Sequence, residues 1–368
     1  MDDRKKISPS IRDIPENTLV HVALSGGVDS AVAALILKNA GFKTVGVFMK
    51  NWSGEEFGIQ ETCPWKDDQD SAAAVCHHLD IPFKTYNFER EYREYVLTYF
   101  IDEYSRGFTP NPDIVCNEKI KFGLFLAKSL SEGASYIATG HYAQLSYSKD
   151  HGHTLQQAVD TEKDQTYFLY RLSNEQLSHT LFPIGHLTKQ KVREIAYSHS
   201  LPNATRKDSQ GICFVGKIDV ATLLKKYVPH QQGDIIDIDT KKQVGTHDGV
   251  TLFTHGQRDG LRMSGAPKAY YVCDKNLTTN TLYVASGRNN PALYTTCVKL
   301  RDTHWQILPS LSMKRTAMVR YRQKPVSCDY CHETKTITFE KPVWKPSPGQ
   351  SAVLIAHKKI IGGGIIIS

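Results

Sequence analysis

Leu19-Val20-His21-Val22-Ala23-Leu24-Ser25-Gly26-Gly27-Val28-Asp29-Ser30, with the apolar run Ala31 to Leu37 behind it, decides the fold. The first six residues have the composition of a buried strand, and after Ser30 the apolar positions return at helical spacing. Between them Gly26-Gly27 lets the backbone turn where a side chain would clash. A helix that starts there aims its unpaired N–H groups at whatever the loop holds, so the expected guest is an anion. Ser25 and Ser30 add hydroxyl donors. No Lys follows the second Gly, which separates this loop from the GxxxxGK[ST] phosphate loop. Gly-Gly alone would mark no more than an ordinary strand-to-helix turn.

Working outward, Lys43 to Met49 is a second buried strand, Asp67 to Leu79 a helix, and Phe83 to Phe88 a strand. Glu91 to Tyr104 and Ile120 to Leu130 follow as helices, and Tyr136 to Gly140 as another strand. Strand and helix alternating at this pace predict a doubly wound parallel sheet of the α/β class. Ligands of such sheets sit beyond the carboxyl ends of the strands, which brings the Ser25 loop, Met49 and Gly140 to one edge. Helical pieces at Gln165 to Leu177, Thr188 to Ser198 and Ile218 to Tyr227 extend this unit. Beyond Pro229 short strands separated by Gly, Pro, Asn and Asp take over, among them Thr316 to Arg322. The expected division is a catalytic domain with helical extension over 1–228, a small β-rich domain over 229–290, and a C-terminal β-barrel over 291–368.

The composition, 40% hydrophobic and 23% charged in 368 residues, is that of a globular protein of two or three domains. No run approaches the roughly 18 apolar residues that span a bilayer. Met1 to Asn17 lacks the apolar core of a secretory signal, so the expectation is a cytoplasmic protein with no membrane partner. A net charge of +7 favours a polyanionic partner only modestly. Eight Cys without a signal peptide fit a reducing compartment, where a Cys in a polar loop is a candidate for chemistry.

Two such cysteines stand out. Gly107-Phe108-Thr109-Pro110-Asn111-Pro112-Asp113-Ile114-Val115-Cys116-Asn117 joins two helices through prolines that stop either from continuing. Placed just ahead of a helix expected near Glu118, Cys116 would meet free N–H groups that favour the thiolate. A packed, inert Cys fits the loop equally well. The second is Cys213, in Lys207-Asp208-Ser209-Gln210-Gly211-Ile212-Cys213-Phe214.

The loop Ser25 to Ser30 resembles the SGGxDS loop of the ATP pyrophosphatases, which grips the pyrophosphate end of ATP during attack on the α-phosphate. TPNPDxxCN from Thr109, KDSxGICF from Lys207, Lys163-Asp164-Gln165-Thr166-Tyr167-Phe168, Phe253-Thr254-His255-Gly256-Gln257-Arg258, Arg320-Tyr321-Arg322-Gln323 and Gly362-Gly363-Gly364 resemble, in order, the tRNA-specific 2-thiouridylases. The resemblance covers nearly the whole chain; Ala31 and Gln210 depart from it without touching a reacting group. It implies ATP-dependent adenylylation of the C2 oxygen of wobble uridine 34, then sulfur transfer from a cysteine persulfide. It implies Cys116 as nucleophile, Cys213 as persulfide carrier, and a disulfide between them after each turnover. It makes Ala23, Leu24, Ser25, Gly26, Gly27, Val28, Asp29, Ser30, Met49 and Gly140 the ATP contacts, with Mg²⁺. Asn111, Pro112 and Asp113 would meet the base, Asp113 as a group that holds or deprotonates N3. Lys163, Asp164, Gln165, Arg320 and Tyr321 would contact tRNA of the Lys, Glu and Gln type, and a cysteine desulfurase or relay protein would supply sulfur.

Other motifs read more plainly. Cys328-Asp329-Tyr330-Cys331 has CxxC spacing but no second pair, and Cys63, Cys76, His77 and His78 place adjacent histidines that diverge, so no metal site is expected. Lys314, Arg315, Arg320, Arg322 and Lys324 set basic residues on an expected strand face suited to phosphates. Two other function classes are compatible with parts of this pattern. An amide-forming synthetase would share the loop and need no Cys pair; a tRNA-binding module would not keep Ser25, Asp29 and Ser30.

Overall fold

Strand β1 (Leu19–Ala23) lies at the centre of a parallel sheet, with β2 (Lys43–Lys50) and β3 (Phe83–Asn87) on one side and β4 (Tyr136–Ala138) on the other. Strands β5 (Gln144–Ser148) and β6 (Gly152–Gln156) leave this sheet, and β7 (Thr180–Leu181) returns to pair with β4 in parallel. The order β3-β2-β1-β4-β7 is that of a doubly wound sheet with its switch point between β1 and β4. This is a computed structural model, and it describes residues 8–53, 65–207, 220–228, 230–261, 263, 268–309 and 314–368.

Both faces of the sheet are apolar and both are covered, as an all-parallel sheet requires. Val45, Val47 and Met49 enter one cluster with Tyr92, Val96, Phe100, Ile120, Phe122 and Phe125 from the helices of 89–105 and 112–131. Val20, Val22 and Phe48 enter the other with Ala31, Val32 and Leu35 of the helix Val28–Asn39 and Val192 and Ala196 of the helix Lys189–Ser198. With both faces sealed, only the carboxyl edge is left open to a ligand.

The central unit is a four-stranded sheet, β8 (Gly233–Asp237), β9 (Gln243–His247), β10 (Tyr270–Asn276) and β11 (Thr281–Ser286), in the order β10-β11-β8-β9. The last unit comprises β12 (Tyr294–Trp305), β13 (Thr316–Met318), β14 (Val326–Cys331), β15 (Thr336–Trp344), β16 (Ser351–Ala356) and β17 (Lys359–Ile366). β12 pairs with β15 through its first half and with β17 through its second, which closes six strands into a barrel; register shifts after Thr295 and Arg301 bend it between the two partners. Gly362 and Gly363 let β17 lie this close: a Cβ on either would strike a backbone carbonyl, of His304 or of Ala352. The hairpin β5–β6 adds to β17 through the pair Lys359 and Gln156, so the barrel sheet continues into the N-terminal half.

Two local expectations are corrected. The helix does not begin near Glu118: Pro112 occupies its first position, and α-helix Pro112–Val115 runs into a π-helical stretch Cys116–Leu124 and on into Phe125–Ser131. Proline stops a helix before it but is well suited to start one, because its fixed φ is helical and its missing N–H is not needed there. The strand expected to reach Arg322 ends at Met318, and Tyr321-Arg322 is a turn with Arg322 at φ 62°. The basic residues there do not share a strand face.

All three units meet at the turn that follows the helix Thr98–Ser105. Gly107 at φ 78° ends that helix, its N–H donating to Tyr104 O and that of Phe108 to Glu103 O, the paired bonds of a Schellman motif. Thr109 N then donates to Pro348 O at 2.7 Å, and Gln350 Nε2 to Thr109 O at 2.8 Å. Nearby, His255 N donates to Ser347 Oγ at 2.8 Å, and Arg320 Nη2 donates to His255 O and Lys345 O.

His255 is buried, and that burial, with Lys275 and Lys345 adding to it, lowers its pKa to about 4. The unfolded chain therefore takes up this proton first as pH falls. Stability is unaffected above pH ~6.5 and falls between ~6.5 and ~4, by about 3 kcal/mol in total from this group. We expect His255→Gln to flatten that part of the stability curve, measured by urea unfolding at successive pH values; parallel curves would mean the imidazole takes up its proton equally in the folded and unfolded chains.

Candidate nucleotide and base site

The loop between β1 and the helix Val28–Asn39 is built from its own hydroxyls. Ser30, buried, donates from Oγ to Gly27 O at 3.1 Å and accepts from Ser25 N at 3.2 Å, while Ser25 Oγ accepts from Gly27 N at 3.4 Å. Gly26 takes φ 75°, and a Cβ there would lie 2.5 Å from Asp68 O. Its carbonyl is turned away from the loop to accept from Ser71 Oγ (2.9 Å), Asn203 Nδ2 (2.8 Å) and Arg206 Nη1 (3.3 Å). Arg206 also pairs with Asp68. With that acceptor withdrawn and no side chain capping the helix at Gly27, the first-turn N–H groups face the crevice as donors. The donor set fits a polyphosphate.

Gly140, just past β4, sits directly on this turn: a Cβ there would come within 2.6 Å of Ser30 N and 2.8 Å of Asp29 C. Its place at the ligand edge is thus also a packing requirement. Next to it, His141 Nδ1 lies 2.8 Å from Thr139 Oγ1, and burial keeps the imidazole's pKa well below its usual value. Met49 is buried at the end of β2. Two residues on, Asn51 is 2% exposed and neither its Oδ1 nor its Nδ2 has a hydrogen-bond partner.

Asp29 faces the crevice from the first turn of its helix. Lys189 Nζ lies 2.8 Å from each of its carboxylate oxygens, and Tyr142 OH donates to Oδ1 at 2.8 Å. Lys189 opens the helix Lys189–Ser198, and its own N–H donates to Asp160 Oδ2 at 2.7 Å. One ammonium and one phenol therefore converge on a single carboxylate in the first turn of its helix. Lys189, Tyr142 and Arg206 were not picked out by sequence; no local motif marks residues that reach the loop from more than a hundred positions away.

Asn111 occupies the N-cap position of the helix at Pro112 without using its side chain, and its buried Oδ1 has no partner. Pro112 is buried and Asp113 half-buried in the first turn. Cys116 is 1% exposed inside the apolar cluster, at the start of the π-helical stretch. The premise that it stands ahead of a helix, facing free N–H groups, is therefore withdrawn. Asn117 is buried too, its Nδ2 donating to Phe168 O and its Oδ1 unpaired. Cys213 and Cys63 lie outside the described residues.

The five expected tRNA contacts are placed as follows. Asp164 is turned inward, accepting from Ala158 N, Thr166 N and Thr166 Oγ1; burial raises its pKa against those hydrogen bonds. Gln165 Oε1 accepts from Tyr142 N at 3.0 Å, which steadies the tyrosine that reaches Asp29. Lys163 is half-buried. Arg320 spends its guanidinium on two carbonyls, and Tyr321 packs on Phe168 with ring centroids 4.4 Å apart. Of the basic group near them, Arg315 is buried, whereas Lys314, Arg322 and Lys324 are exposed. Among the described residues no group of three or more His, Cys, Asp or Glu is placed to hold a metal ion. Cys328 is buried and Cys331 exposed on β14, and Cys76 is buried beside exposed His77 and His78.

Gly140→Ala is expected to push Ser30 and lower ATP affinity by about tenfold or more, with a loss of stability of about 1–3 kcal/mol. Isothermal titration with ATP beside urea unfolding checks it, and unchanged affinity would detach Gly140 from the loop's geometry.

Three family models cover the chain in sequence: the tRNA methyl transferase HUP domain over 18–217, the tRNA methyl transferase PRC-barrel domain over 221–286, and the aminomethyltransferase β-barrel domain over 295–366. The tRNA-specific 2-thiouridylase MnmA of Nitrosomonas europaea is 45% identical over 357 residues, covering 95% of this chain and 98% of that one. That of Bacillus subtilis strain 168 is 42% identical over 359 residues, with 96% and 95% covered. Among solved structures, a 4-thiouridine synthetase–RNA complex with bound ATP matches at a TM-score of 0.34 and 14% identity, over 58% of this chain and 50% of that one. NMN synthetase from Francisella tularensis matches at 0.36 and 14%, over 62% and 79%. Near-complete coverage at this identity shows that the chain belongs to the tRNA-specific 2-thiouridylase family.

Proposed function

We propose that this protein uses ATP to replace the C2 oxygen of the wobble uridine of tRNA by sulfur. The observation that carries the reading is the Ser25–Ser30 loop at the β1/β4 switch point, with Asp29 and Lys189 at its mouth and the unpaired Asn51 amide just past the end of β2. In the proposed division, 1–228 binds ATP and the base, while 229–290 and 291–368 position the RNA. Donors of the loop, with Lys189, hold the pyrophosphate end of ATP. Asp29 is the carboxylate that would hold Mg²⁺, whose contribution is to neutralise phosphate charge.

A carbonyl oxygen leaves poorly, so it is first made part of a good leaving group. The uracil O2 attacks the α-phosphorus and pyrophosphate departs; Asn111 and Asp113 orient the base, with Asp113 as the group that holds or accepts the N3 proton. The terminal sulfur of a persulfide on Cys213 then attacks C2 and AMP leaves. Cys116 attacks the Cys213 sulfur, which releases the 2-thiouridine and forms a Cys116–Cys213 disulfide; an external thiol reduces it. Because Cys116 is buried, this last step needs its surroundings to open. A sulfur-carrying donor protein reloads Cys213.

The family models' descriptions name methyl transfer, and the product separates the two chemistries. After incubation of tRNA with ATP and a sulfide or persulfide source, nucleoside mass spectrometry should find sulfur in place of oxygen on uridine; an added methylene without sulfur would overturn the reading. Cys213→Ser should accumulate adenylylated tRNA and make no 2-thiouridine, since the ATP step needs no thiol. Full thiolation by that variant would remove Cys213 from the mechanism.

Exposed Arg322 and Lys324 are the cations assigned to RNA phosphates. Replacing both by Gln should lower the slope of log affinity against log salt by about 1–2 units, read from tRNA binding at several salt concentrations. An unchanged slope would place the RNA on another face.

A further inference from the structure

We propose that Lys275 is a positioning residue for this reaction: from the central β unit it holds the Gly107 turn in the register that delivers Asn111 and Asp113 to the site. The inference rests on the functional reading above. Lys275 lies on β10, and its Nζ donates to Gly107 O at 2.7 Å and to Phe253 O at 2.8 Å. One ammonium thus joins the end of an N-terminal-domain helix to the segment Phe253–Arg258. Burial lowers its pKa to about 8, against the raising effect of Asp274, so the surroundings tolerate the charge at a cost. Packing alone would be served better by an apolar side chain of that length.

The same turn is fastened at neighbouring points. A Cβ on Gly107 would lie 2.6 Å from Leu277 Cδ1, so the Leu277 side chain sits against the glycine itself. Thr109 Oγ1 lies 3.3 Å from Thr254 Oγ1. From the C-terminal barrel come Pro348 O and Gln350 Nε2, while Arg301 pairs with buried Glu103 and lies over Phe108. Between Gly107 and the first delivered residue, Asn111, stand three residues, Phe108 to Pro110, and Pro112 follows. Pro110 and Pro112 restrict their own φ and the residue before each, so the segment transmits a displacement instead of absorbing it. A shift of the central unit moves Asn111, and RNA seated on the β units is felt at the base.

The test uses full-length Lys275→Met, which keeps the stem and removes the donors, with Lys275→Arg as the conservative rescue. Misplacement of a reacting group by about 1 Å costs up to about a hundredfold in rate. Single-turnover thiolation by Lys275→Met should therefore fall by about ten- to a hundredfold, with ATP and tRNA dissociation constants within about twofold of the parent. Hydrogen exchange should rise in residues 104–117 and stay unchanged in the parallel sheet. Lys275→Arg should recover part of the rate, and Thr254→Val, which trims a single hydroxyl, should show the same pattern more weakly. An unaltered rate in folded Lys275→Met, or a rate loss matched by weaker ATP and tRNA binding, would overturn the proposal. Should Lys275→Met fail to fold, Thr254→Val decides alone on the same readouts. If the parent protein thiolates no tRNA, the functional reading fails, while exchange in 104–117 still decides whether Lys275 holds the turn.

Discussion

The contact of Gly140 with the first turn of the helix Val28–Asn39 is the constraint on which the site depends. Between β1 and β4 the chain winds away in opposite directions, and the two strand exits leave a crevice whose floor is the backbone of Asp29 and Ser30. Any side chain at 140 would occupy that floor. Because both faces of the sheet are sealed by apolar clusters, the polar groups that a ligand needs collect at this edge. They come from stretches far apart in sequence: residues 25–30, 51, 140–142, 189 and 203–206.

What was legible in the sequence was whatever obeys local rules. A buried strand, a Gly-Gly turn and an apolar helix in succession specify one geometry, and the alternation of elements after it specifies the sheet. The errors came where a local signal has two structural meanings. Pro110 and Pro112 were read as keeping two helices apart, yet Pro112 starts the second one and carries Cys116 inside it. Alternating charge from Lys314 to Lys324 was read as an exposed strand face, yet the strand ends at Met318 and Arg320 serves two carbonyls. Asp164, which only the resemblance names, is turned inward as a bracket for its own loop. Lys189 and Tyr142, which meet Asp29, carried no local signal, because the pairing exists only once two helix N-termini have been packed together.

The buried amides of Asn51, Asn111 and Asn117 each leave at least one polar atom without a partner. Such an atom destabilises a folded protein by about 1–3 kcal/mol. Of these, Asn51 stands at the carboxyl edge of the sheet, just past the end of β2, where a ligand's own donors and acceptors would recover the loss on binding. Cys116 adds a related tension. A thiol inside an apolar cluster is a poor nucleophile until it is exposed, and the π-helical stretch that begins there has weaker, wider turns than an α-helix and is correspondingly easier to rearrange.

Charge shows how tightly site and domain assembly are linked. The net charge of +7 suggests a general attraction for polyanions, yet several of the cations nearest the site are engaged inside the protein. Lys189 is held by Asp29, Arg206 by Asp68 and Gly26 O, Arg301 by Glu103, Arg320 by two carbonyls, and Lys275 by two more. Each of these bonds joins segments distant in the chain. Lys275 and Arg301 reach the turn before Asn111 from the two β units, while Arg320 ties those units to each other, so the turn takes its final shape only when they are docked. An N-terminal half without the β units would keep the bonds of the Ser25–Ser30 loop, which come from within residues 25–206, and would lack the polar partners that set the turn before Asn111.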